Sequence, residues 1–203
     1  MYGKVLSAYV TNLGKYTEGQ LVGRWVDFPT TSQEIQNVLR EIGIDGIRYE
    51  EIFITDYHSN IYGLTDCLDE YENLSVLNYI ACKIQESGYD TEQLESLLEF
   101  GAYGGNVTEL LTLLNNLDCY VMYGDIKDDY DLGYYLIHKT GLYTELQEKM
   151  GSLANYIDYE AYGRDVRIEE SGLHTVNDYY VCMTDNPTVS NINDVPEEYR
   201  ISV

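Results

Sequence analysis

The sequence comes nearest to a metal-binding motif in a run of aspartates in its second half. Four aspartates lie within residues 125–131 and are followed by Gly133, and closely spaced carboxylates beside a glycine are typical of calcium loops. The spacing does not fit such a loop, because Lys127 stands where a ligand is required and the glycine comes one place late. No glutamate follows at the offset of the terminal bidentate ligand. We therefore expect no metal site.

Other catalytic patterns are equally weak. His58, His138 and His174 are isolated from one another and from any cysteine pair, and the sequence has no HExxH motif and no GxSxG elbow. It also lacks a glycine-rich phosphate loop that opens a helix after a strand. A pair of carboxylates acting as acid and base, as in a glycosidase, stays open, because acids occur almost everywhere. These patterns therefore identify no catalytic residue and no cofactor-binding site.

The net charge is more informative than any single motif. The 203 residues include 35 acids and 12 bases, for a net charge of -23. Such a chain repels nucleic acids and anionic membranes and attracts basic partners. Apolar residues make up 44% of it, which together with clear periodicity indicates a folded protein. Scattered cysteines, no leader segment and no membrane-length apolar run predict a soluble cytoplasmic protein.

The charge is distributed unevenly along the chain. Residues 1–48 hold five acids and five bases and are neutral. Residues 49–117 hold thirteen acids and only one base, Lys83, and residues 118–170 hold twelve acids and five bases. A basic partner would therefore be bound mainly by the middle and the second half of the chain.

Part of this acidic stretch has helical spacing. Glu92, Glu95 and Glu99 fall at positions i, i+3 and i+7, on the opposite side of a predicted helix from its leucines. Such a stripe places one charge roughly every 5 Å, whereas duplex DNA carries about one per 1.7 Å of axis. About three stripes side by side would match the linear charge density of DNA. The alternative is a generic solubilising surface.

The first module is predicted from alternation and turn signals. Strands are expected over residues 5–11, 20–28 and 51–58, with a turn at Asn12–Gly14. A capping box at Thr31–Glu34 opens a helix that stops at Gly43. Three strands and one helix make a small α+β module with an antiparallel sheet.

Apolar periodicity predicts the remaining elements. Helices are expected over 75–87, from Asp90, from Asn106 and over 128–141, with a strand over 119–123 and a strand or hairpin over 173–183. From Thr184 onward, the polar composition predicts a loose tail. The resulting fold is α+β, a chain of three small modules over residues 1–60, 61–117 and 118–184 with a tail over 185–203. The first is a sheet with a helix, the second is acidic and helical, and the third is a mixed α/β module.

A tyrosine-rich stretch, NYIDYEAYGRD, covers residues 155–165. Tyr156, Tyr159 and Tyr162 are three residues apart, which predicts a tyrosine stripe on one face of a helix. We expect these rings to pack. We also expect the arginine within the stretch, Arg164, to pair with a neighbouring carboxylate, namely Asp158, Glu160 or Asp165.

Two separated blocks of the sequence are distinctive. The first runs Asn12-Leu-Gly-Lys-Tyr16, Glu18-Gly19, Leu21-Val-Gly23 and Trp25, and the second is Tyr156-Ile-Asp-Tyr-Glu-Ala-Tyr-Gly-Arg-Asp165. Together they resemble the ArdA-type antirestriction proteins, and Ile54-Thr-Asp-Tyr57 and Leu117-Asp-Cys-Tyr120 are similar to segments between the family's blocks. The resemblance covers roughly residues 3–183.

The resemblance implies a cytoplasmic DNA mimic from a plasmid or transposon, an elongated homodimer of three-module chains that is not an enzyme and needs no cofactor. Such proteins occupy the DNA-binding groove of type I restriction-modification enzymes, where they face the DNA-binding and methyltransferase subunits. Their carboxylates imitate phosphates, and neither nucleic acid nor membrane is bound. The expected phosphate mimics are Asp66, Asp69, Glu70, Glu72, Glu86, Glu92, Glu95, Glu99, Glu109, Asp118, Asp125, Asp128, Asp129 and Asp131. Packing or the dimer contact is expected of Tyr156, Tyr159, Tyr162 and Arg164.

A second hypothesis accounts for the composition alone. An acidic interaction module that binds some other basic DNA-binding protein would have the same charge. It would not need the two blocks that resemble the family. A hydrolase would instead require a concave pocket around a carboxylate of raised pKa.

Overall fold

The computed structural model describes residues 3–101 and 105–201 of the chain. The strands within these residues are β1 (Leu6–Asn12), β2 (Gly23–Phe28), β3 (Ile52–Ser59), β4 (Tyr120–Gly124), β5 (Leu173–His174) and β6 (Tyr179–Met183). The α-helices in the same ranges are α1 (Leu13–Thr17), α2 (Ser32–Glu41), α3 (Leu74–Ser87), α4 (Thr91–Gly101), α5 (Val107–Asn115), α6 (Asp129–Lys139), α7 (Leu142–Met150) and α8 (Tyr159–Glu170). The predicted α+β class is confirmed.

The first sheet has the strand order β2-β1-β3 and is antiparallel. Alternate residues of β1, namely Leu6, Ala8 and Val10, are fully buried on one face. Helices α2 and α3 cover that face with side chains such as Ile35 and Leu77. The three strands and the helix predicted for the first module are therefore confirmed.

The turn predicted at Asn12–Gly14 is wrong, because helix α1 begins there. The Asn12 side chain accepts a hydrogen bond from the Lys15 backbone N–H at 2.9 Å, which caps the helix. Thr31, Asn106 and Asp158 cap α2, α5 and α8 in the same way. Each cap satisfies a backbone donor that the first helical turn leaves open, and a cap is typically worth about 1 kcal/mol.

The second sheet has the order β4-β6-β5 and is also antiparallel. Tyr180 on β6 is fully buried and packs with Ile126, Leu132 and Cys182. Strand β6 thus forms the centre of this sheet and supplies its core. The strand or hairpin predicted over residues 173–183 is confirmed as the β5–β6 pair.

Backbone contacts divide the chain into two compact units. The first comprises residues 1–95, 102–117 and 188–203, and the second comprises residues 96–101 and 118–187. Division into three modules stays a prediction. Within residues 3–101 and 105–201, no helix combines the length and the apolar character that crossing a membrane requires.

The loose tail predicted after Thr184 is wrong for its described residues. Val195 and Ile201 are 5% and 6% exposed, and Ile201 belongs to the core of the first unit. Asn78 on α3 donates a hydrogen bond to the Tyr199 carbonyl at 3.0 Å. The composition of this segment is polar, but a few apolar side chains find a place in a core built from distant residues.

Truncating Ile201 to alanine should destabilise the first unit by about 2–4 kcal/mol, the usual cost of removing a large buried aliphatic side chain. The effect can be measured by urea unfolding followed by circular dichroism. Val189→Ala is the matched control, because Val189 lies in the same segment and is 77% exposed. The control should stay within about 0.5 kcal/mol of the parent. Equal midpoints for the two variants would mean that the segment does not contribute to the core.

Candidate functional site

Acidic side chains dominate the surface of residues 61–117. This stretch holds ten acids and a single base, Lys83. Of the predicted phosphate mimics in it, the exposed ones are Asp66, Asp69, Glu70, Glu86, Glu92 and Glu99. The half-buried ones are Glu72, Glu95 and Glu109. Most of the negative charge therefore faces solvent.

Helix α4 carries the predicted stripe. Leu94 and Leu97 are buried, while Glu92 and Glu99 are exposed. Glu95 accepts a hydrogen bond from the Tyr62 backbone N–H at 2.9 Å, and Glu99 accepts one from the Val176 backbone N–H at 3.0 Å. These two carboxylates are therefore held in place by backbone N–H groups.

A second acidic group lies in the loop before α3. Asp69 accepts a hydrogen bond from the Tyr71 backbone N–H at 2.8 Å. Burial, followed by repulsion from Asp69, raises the pKa of Glu72 above its ordinary value. The charge of Asp69 therefore adds to the effect of burial, which opposes the ionisation of Glu72.

Glu86, at the end of α3, is tied to the C-terminal segment. It accepts a hydrogen bond from the Tyr199 hydroxyl at 2.8 Å. This bond, followed by burial, raises the pKa of Tyr199 to about 12, because loss of the phenol proton would place a second negative charge beside the carboxylate.

The predicted mimics of the second unit differ in their environments. Asp118, Asp125 and Asp128 are exposed, and Asp128 caps α6 by accepting from the Asp131 N–H at 3.0 Å. Asp131 is half-buried and accepts from the Lys127 N–H at 3.1 Å. Asp128 and Asp131 thus shape the start of α6, whereas Asp118 and Asp125 only add to the acidic surface.

The negative charge of Asp129 is compensated by an ion pair within the fold. Its carboxylate accepts two hydrogen bonds from Arg167, at 2.6 and 3.0 Å, and a third from His174 Nε2 at 2.9 Å. Its side chain is 19% exposed. The Arg167 bond is the main cause that lowers the pKa of Asp129 to about 2. Asp129 is therefore a structural carboxylate and not part of the exposed acidic surface.

Acid should remove the contribution of Asp129 to stability. The ordinary pKa is 3.8 and the folded-state pKa is about 2, so the stabilisation is present above pH 4 and is lost as the pH falls towards 2. We expect Asp129→Asn to be less stable than the parent at pH 7. The difference in free energy of unfolding between the variant and the parent should shrink by about 2 kcal/mol between pH 4 and pH 2.

Urea unfolding at several pH values measures this gap. The matched control is Asp118→Asn, because Asp118 is exposed and lies in the same unit. The control should follow the parent throughout. A gap between Asp129→Asn and the parent that is independent of pH would contradict the assigned ion pair.

The predicted tyrosine stripe on one helix is wrong. Tyr156 lies in a 3₁₀ helix, Gly151–Tyr156, and is 83% exposed, because α8 begins only after its cap, Asp158. Tyr159 packs against Tyr130 and Tyr134, with ring centroids 5.7 and 5.4 Å apart. Two of the three tyrosines therefore share α8, and one of them, Tyr159, is half-buried in an aromatic cluster.

Arg164 and Tyr162 also lie on α8. The predicted pairing of Arg164 with a neighbouring acid is confirmed, since its guanidinium lies 3.3 Å from Asp165. Tyr162 is 37% exposed. A role for these residues in a dimer contact stays a prediction.

The comparison with protein families decides the classification. Residues 8–181 match the family described as Antirestriction protein (ArdA). The chain belongs to the ArdA antirestriction family. No curated protein matches the chain.

Membership in the ArdA family confirms the resemblance found in the sequence. The match contains the second block, Tyr156–Asp165, and all of the first, Asn12–Trp25. It implies an inhibitor of restriction that interacts with restriction enzymes, and not a catalyst. Residues 182–203 lie outside the match, yet Ile201 within them belongs to the core of the first unit.

The ArdA-family block also contains a glycine whose role the sequence analysis missed. A Cβ atom on Gly163 of α8 would lie 1.8 Å from the Asp129 carbonyl oxygen, and one on Gly133 of α6 would lie 1.9 Å from the Tyr159 carbonyl oxygen. The two helices therefore touch backbone to backbone. A glycine inside a helical pattern was the available signal, since it costs about 1 kcal/mol relative to alanine and indicates a packing reason.

Proposed function

We propose that this ArdA-family chain is an acidic mimic of B-form DNA, which occupies the DNA-binding groove of type I restriction-modification enzymes and inhibits them competitively. The partner surface is formed by the DNA-binding and methyltransferase subunits. The protein acts in the cytoplasm as a homodimer, without cofactor or catalysis. Carried by a mobile genetic element, it protects incoming DNA.

The distribution of charge carries this proposal. Residues 61–117 contain ten acids and a single base, Lys83. Most of these acids are exposed. In residues 1–48, by contrast, acids and bases are equal in number. Some of them form exposed salt bridges, such as Arg24–Glu41 and Arg48–Glu18. A groove that binds phosphates would therefore be attracted to the acidic stretch and not to the first module.

The fixed positions of several carboxylates support mimicry over general solubility. Asp69, Glu95 and Glu99 each accept a hydrogen bond from a backbone N–H. Ordering a flexible side chain on binding costs about 0.5–1.5 kcal/mol. Carboxylates that are already held in place avoid part of that cost, as phosphates in a duplex do. A purely solubilising surface would gain nothing from such bonds.

The amount of charge is sufficient for a long groove. A homodimer carries twice the net charge of -23, which is -46. At about one charge per 1.7 Å of duplex axis, this corresponds to roughly 80 Å of DNA. Even if only half of the charge faces the partner, it matches a stretch of duplex of about 40 Å.

Competition with DNA tests the proposal. A purified type I methyltransferase is bound to a fluorescent duplex that carries its recognition site, and the full chain is added. We expect complete displacement at a concentration that rises in proportion to the duplex concentration. Displacement of DNA from an unrelated basic DNA-binding protein, with none from the methyltransferase, would instead favour the second hypothesis.

The proposal also predicts that binding to the methyltransferase depends steeply on salt concentration. Exposed charges are screened beyond about 10 Å at 0.1 M salt and beyond about 3 Å at 1 M. We expect the affinity of the chain for the methyltransferase to fall at least about tenfold between roughly 0.05 and 0.5 M sodium chloride. Direct binding measured by calorimetry avoids interference from the salt dependence of DNA binding. An affinity that does not change with salt would show that apolar contacts dominate.

A further inference from the structure

A groove of about 660 Å³ opens on the first unit beside strand β3. Residues Tyr16, Leu21 and Phe53 contribute apolar surface to it, and Asp56, Asp69 and Glu70 contribute carboxylates. All of these residues belong to the first unit. The groove thus combines aromatic rings with acids.

A β-bulge shapes one side of the groove. Ala8 and Val10 of β1 pair with Tyr57 and Ile54 of β3, so β3 contains one more residue than β1 over this interval. Bulges redirect side chains and occur often beside binding sites. Asp56 lies within this bulge and lines the groove.

The aromatic part of the groove is accessible from solvent. Tyr16 is 50% exposed and packs edge to face on Phe53, with ring centroids 4.9 Å apart. Leu21, which also lines the groove, is 64% exposed. Apolar side chains exposed together at a concave site mark a place where another molecule binds.

The electrostatics of the groove select a cation. Its three carboxylates, Asp56, Asp69 and Glu70, are exposed, and the described lining residues include no lysine, arginine or histidine. The raised pKa of neighbouring Glu72, caused by burial and then by repulsion from Asp69, agrees with a negative field at this groove. A cation would relieve this repulsion.

We infer that this groove binds an arginine side chain of the protein partner, with the guanidinium against Tyr16 and within reach of Asp56, Asp69 and Glu70. A guanidinium is planar, weakly hydrated and able to stack on an aromatic ring while it pairs with carboxylates. A lysine ammonium is compact and strongly hydrated, and it gains less from the ring. The chemistry of the groove therefore favours arginine.

This inference rests on the proposed function only for the identity of the partner, a DNA-binding enzyme whose groove is basic. Charge alone attracts many basic surfaces, but a pocket for one arginine adds a contact that phosphate mimicry does not provide. The first module, neutral over residues 1–48, would in this way contribute Tyr16 and Leu21 to specificity, while Asp69 and Glu70 of the pocket come from the acidic stretch.

A peptide titration tests the groove without any restriction enzyme. The full ¹⁵N-labelled chain is titrated by NMR with the blocked tripeptide Gly-Arg-Gly and with matched peptides that contain citrulline or lysine. We expect saturable shifts of the backbone amides of residues 53–57 and 68–70. Citrulline has nearly the same shape as arginine but no charge, and its peptide should bind at least about tenfold more weakly. The lysine peptide should bind about threefold more weakly or worse.

Variants locate the site. Tyr16→Leu keeps apolar bulk but removes the ring, and it should weaken binding of the arginine peptide about 3- to 10-fold. Glu70→Gln should weaken it about 2- to 5-fold. The matched control is Glu198→Gln, an exposed acid of the same unit outside the groove, which should bind like the parent. Thermal unfolding of each variant checks that it is folded.

The outcomes separate this inference from the proposed function. Saturable binding of the arginine peptide that is weakened by Tyr16→Leu would support the arginine pocket. Failure of the chain to displace DNA from a methyltransferase would overturn the proposed function but not the pocket. Shifts scattered over all acidic regions, equal binding of citrulline or lysine, or an unchanged affinity in folded Tyr16→Leu would each overturn the arginine pocket. None of these three results decides whether the chain displaces DNA from the methyltransferase, which is the test of the proposed function.

Discussion

Replacing Glu92, Glu95 and Glu99 together by glutamine should weaken inhibition of a type I restriction enzyme by about 10- to 100-fold. Each charge pair with the partner contributes modestly to the binding free energy. The loss of three pairs therefore multiplies three modest decreases in affinity, which gives this range. Glutamine keeps the carbonyl oxygen that accepts from the Tyr62 and Val176 backbone N–H groups. The change therefore removes charge and preserves the local structure, which circular dichroism can verify.

The first module, residues 1–60, provides a control with the same change in charge. Glu34, Glu50 and Glu51 are exposed, and glutamine at residue 34 remains compatible with the capping box that starts at Thr31. The control triple variant should inhibit within about threefold of the parent. Single substitutions on α4 should each weaken inhibition by about 2- to 5-fold. Such a graded series is expected for distributed electrostatic binding and not for catalysis.

Two results would contradict this placement of the surface. The first is equal inhibition by the α4 and control triple variants, which would show that net charge alone matters. The second is abolition of inhibition by one α4 substitution, which would indicate a single essential group. Measuring both cleavage and methylation also reveals whether the two activities of the enzyme depend on the same carboxylates.

Gly163→Ala should destabilise the second unit by at least about 3 kcal/mol. Helix propensity alone predicts the opposite, because alanine within a helix is favoured over glycine by up to about 1 kcal/mol. The new Cβ atom, however, would lie 1.8 Å from the Asp129 carbonyl oxygen and 2.7 Å from the Gly133 nitrogen. Both obstacles are backbone atoms, so no side chain can rotate away and α6 and α8 must separate. The steric term therefore exceeds the propensity term.

Chemical unfolding of Gly163→Ala, followed by circular dichroism, measures this effect. Glu169→Ala is the control on the same helix, because Glu169 is exposed, and its effect should stay within about 0.5 kcal/mol. If Gly163→Ala leaves too little folded protein to analyse, the same result is expected from Gly133→Ala, whose Cβ meets the Tyr159 carbonyl. Parent-like stability of either variant would show that the helices do not make this backbone contact.

Local patterns in the sequence predicted most of the secondary structure. The strands of the first module, the helix that follows Thr31 and the helix that follows Asn106 are all present, because a period of two or of 3.6 residues and a cap depend on neighbours within a few positions. The errors arose where distant residues decide. The segment after Thr184 packs because a core elsewhere accepts Ile201, and nothing in its own composition indicates this.

The candidate site shows the same division between local and distant information. Asp128 and Asp129 are adjacent and look equivalent in the sequence, yet Asp128 is exposed while Asp129 is ion-paired with Arg167 and hydrogen-bonded to His174, 38 and 45 residues away. Glu95 and Glu99 lie on the predicted stripe, but the backbone groups that hold them come from residues 33 and 77 positions distant. Helical spacing placed these acids correctly without indicating their partners.

By itself, the sequence determined the excess of negative charge, its concentration after residue 48, the α+β class and the two blocks that resemble the ArdA family. These properties are sums over residues or relations between near neighbours, and folding does not alter them. Only the tertiary structure decided which carboxylates face solvent, which one is neutralised, where α6 and α8 touch through glycine, and that aromatic rings and acids meet in one groove. Each of these depends on the separation in space of residues far apart along the chain, which local spacing does not encode.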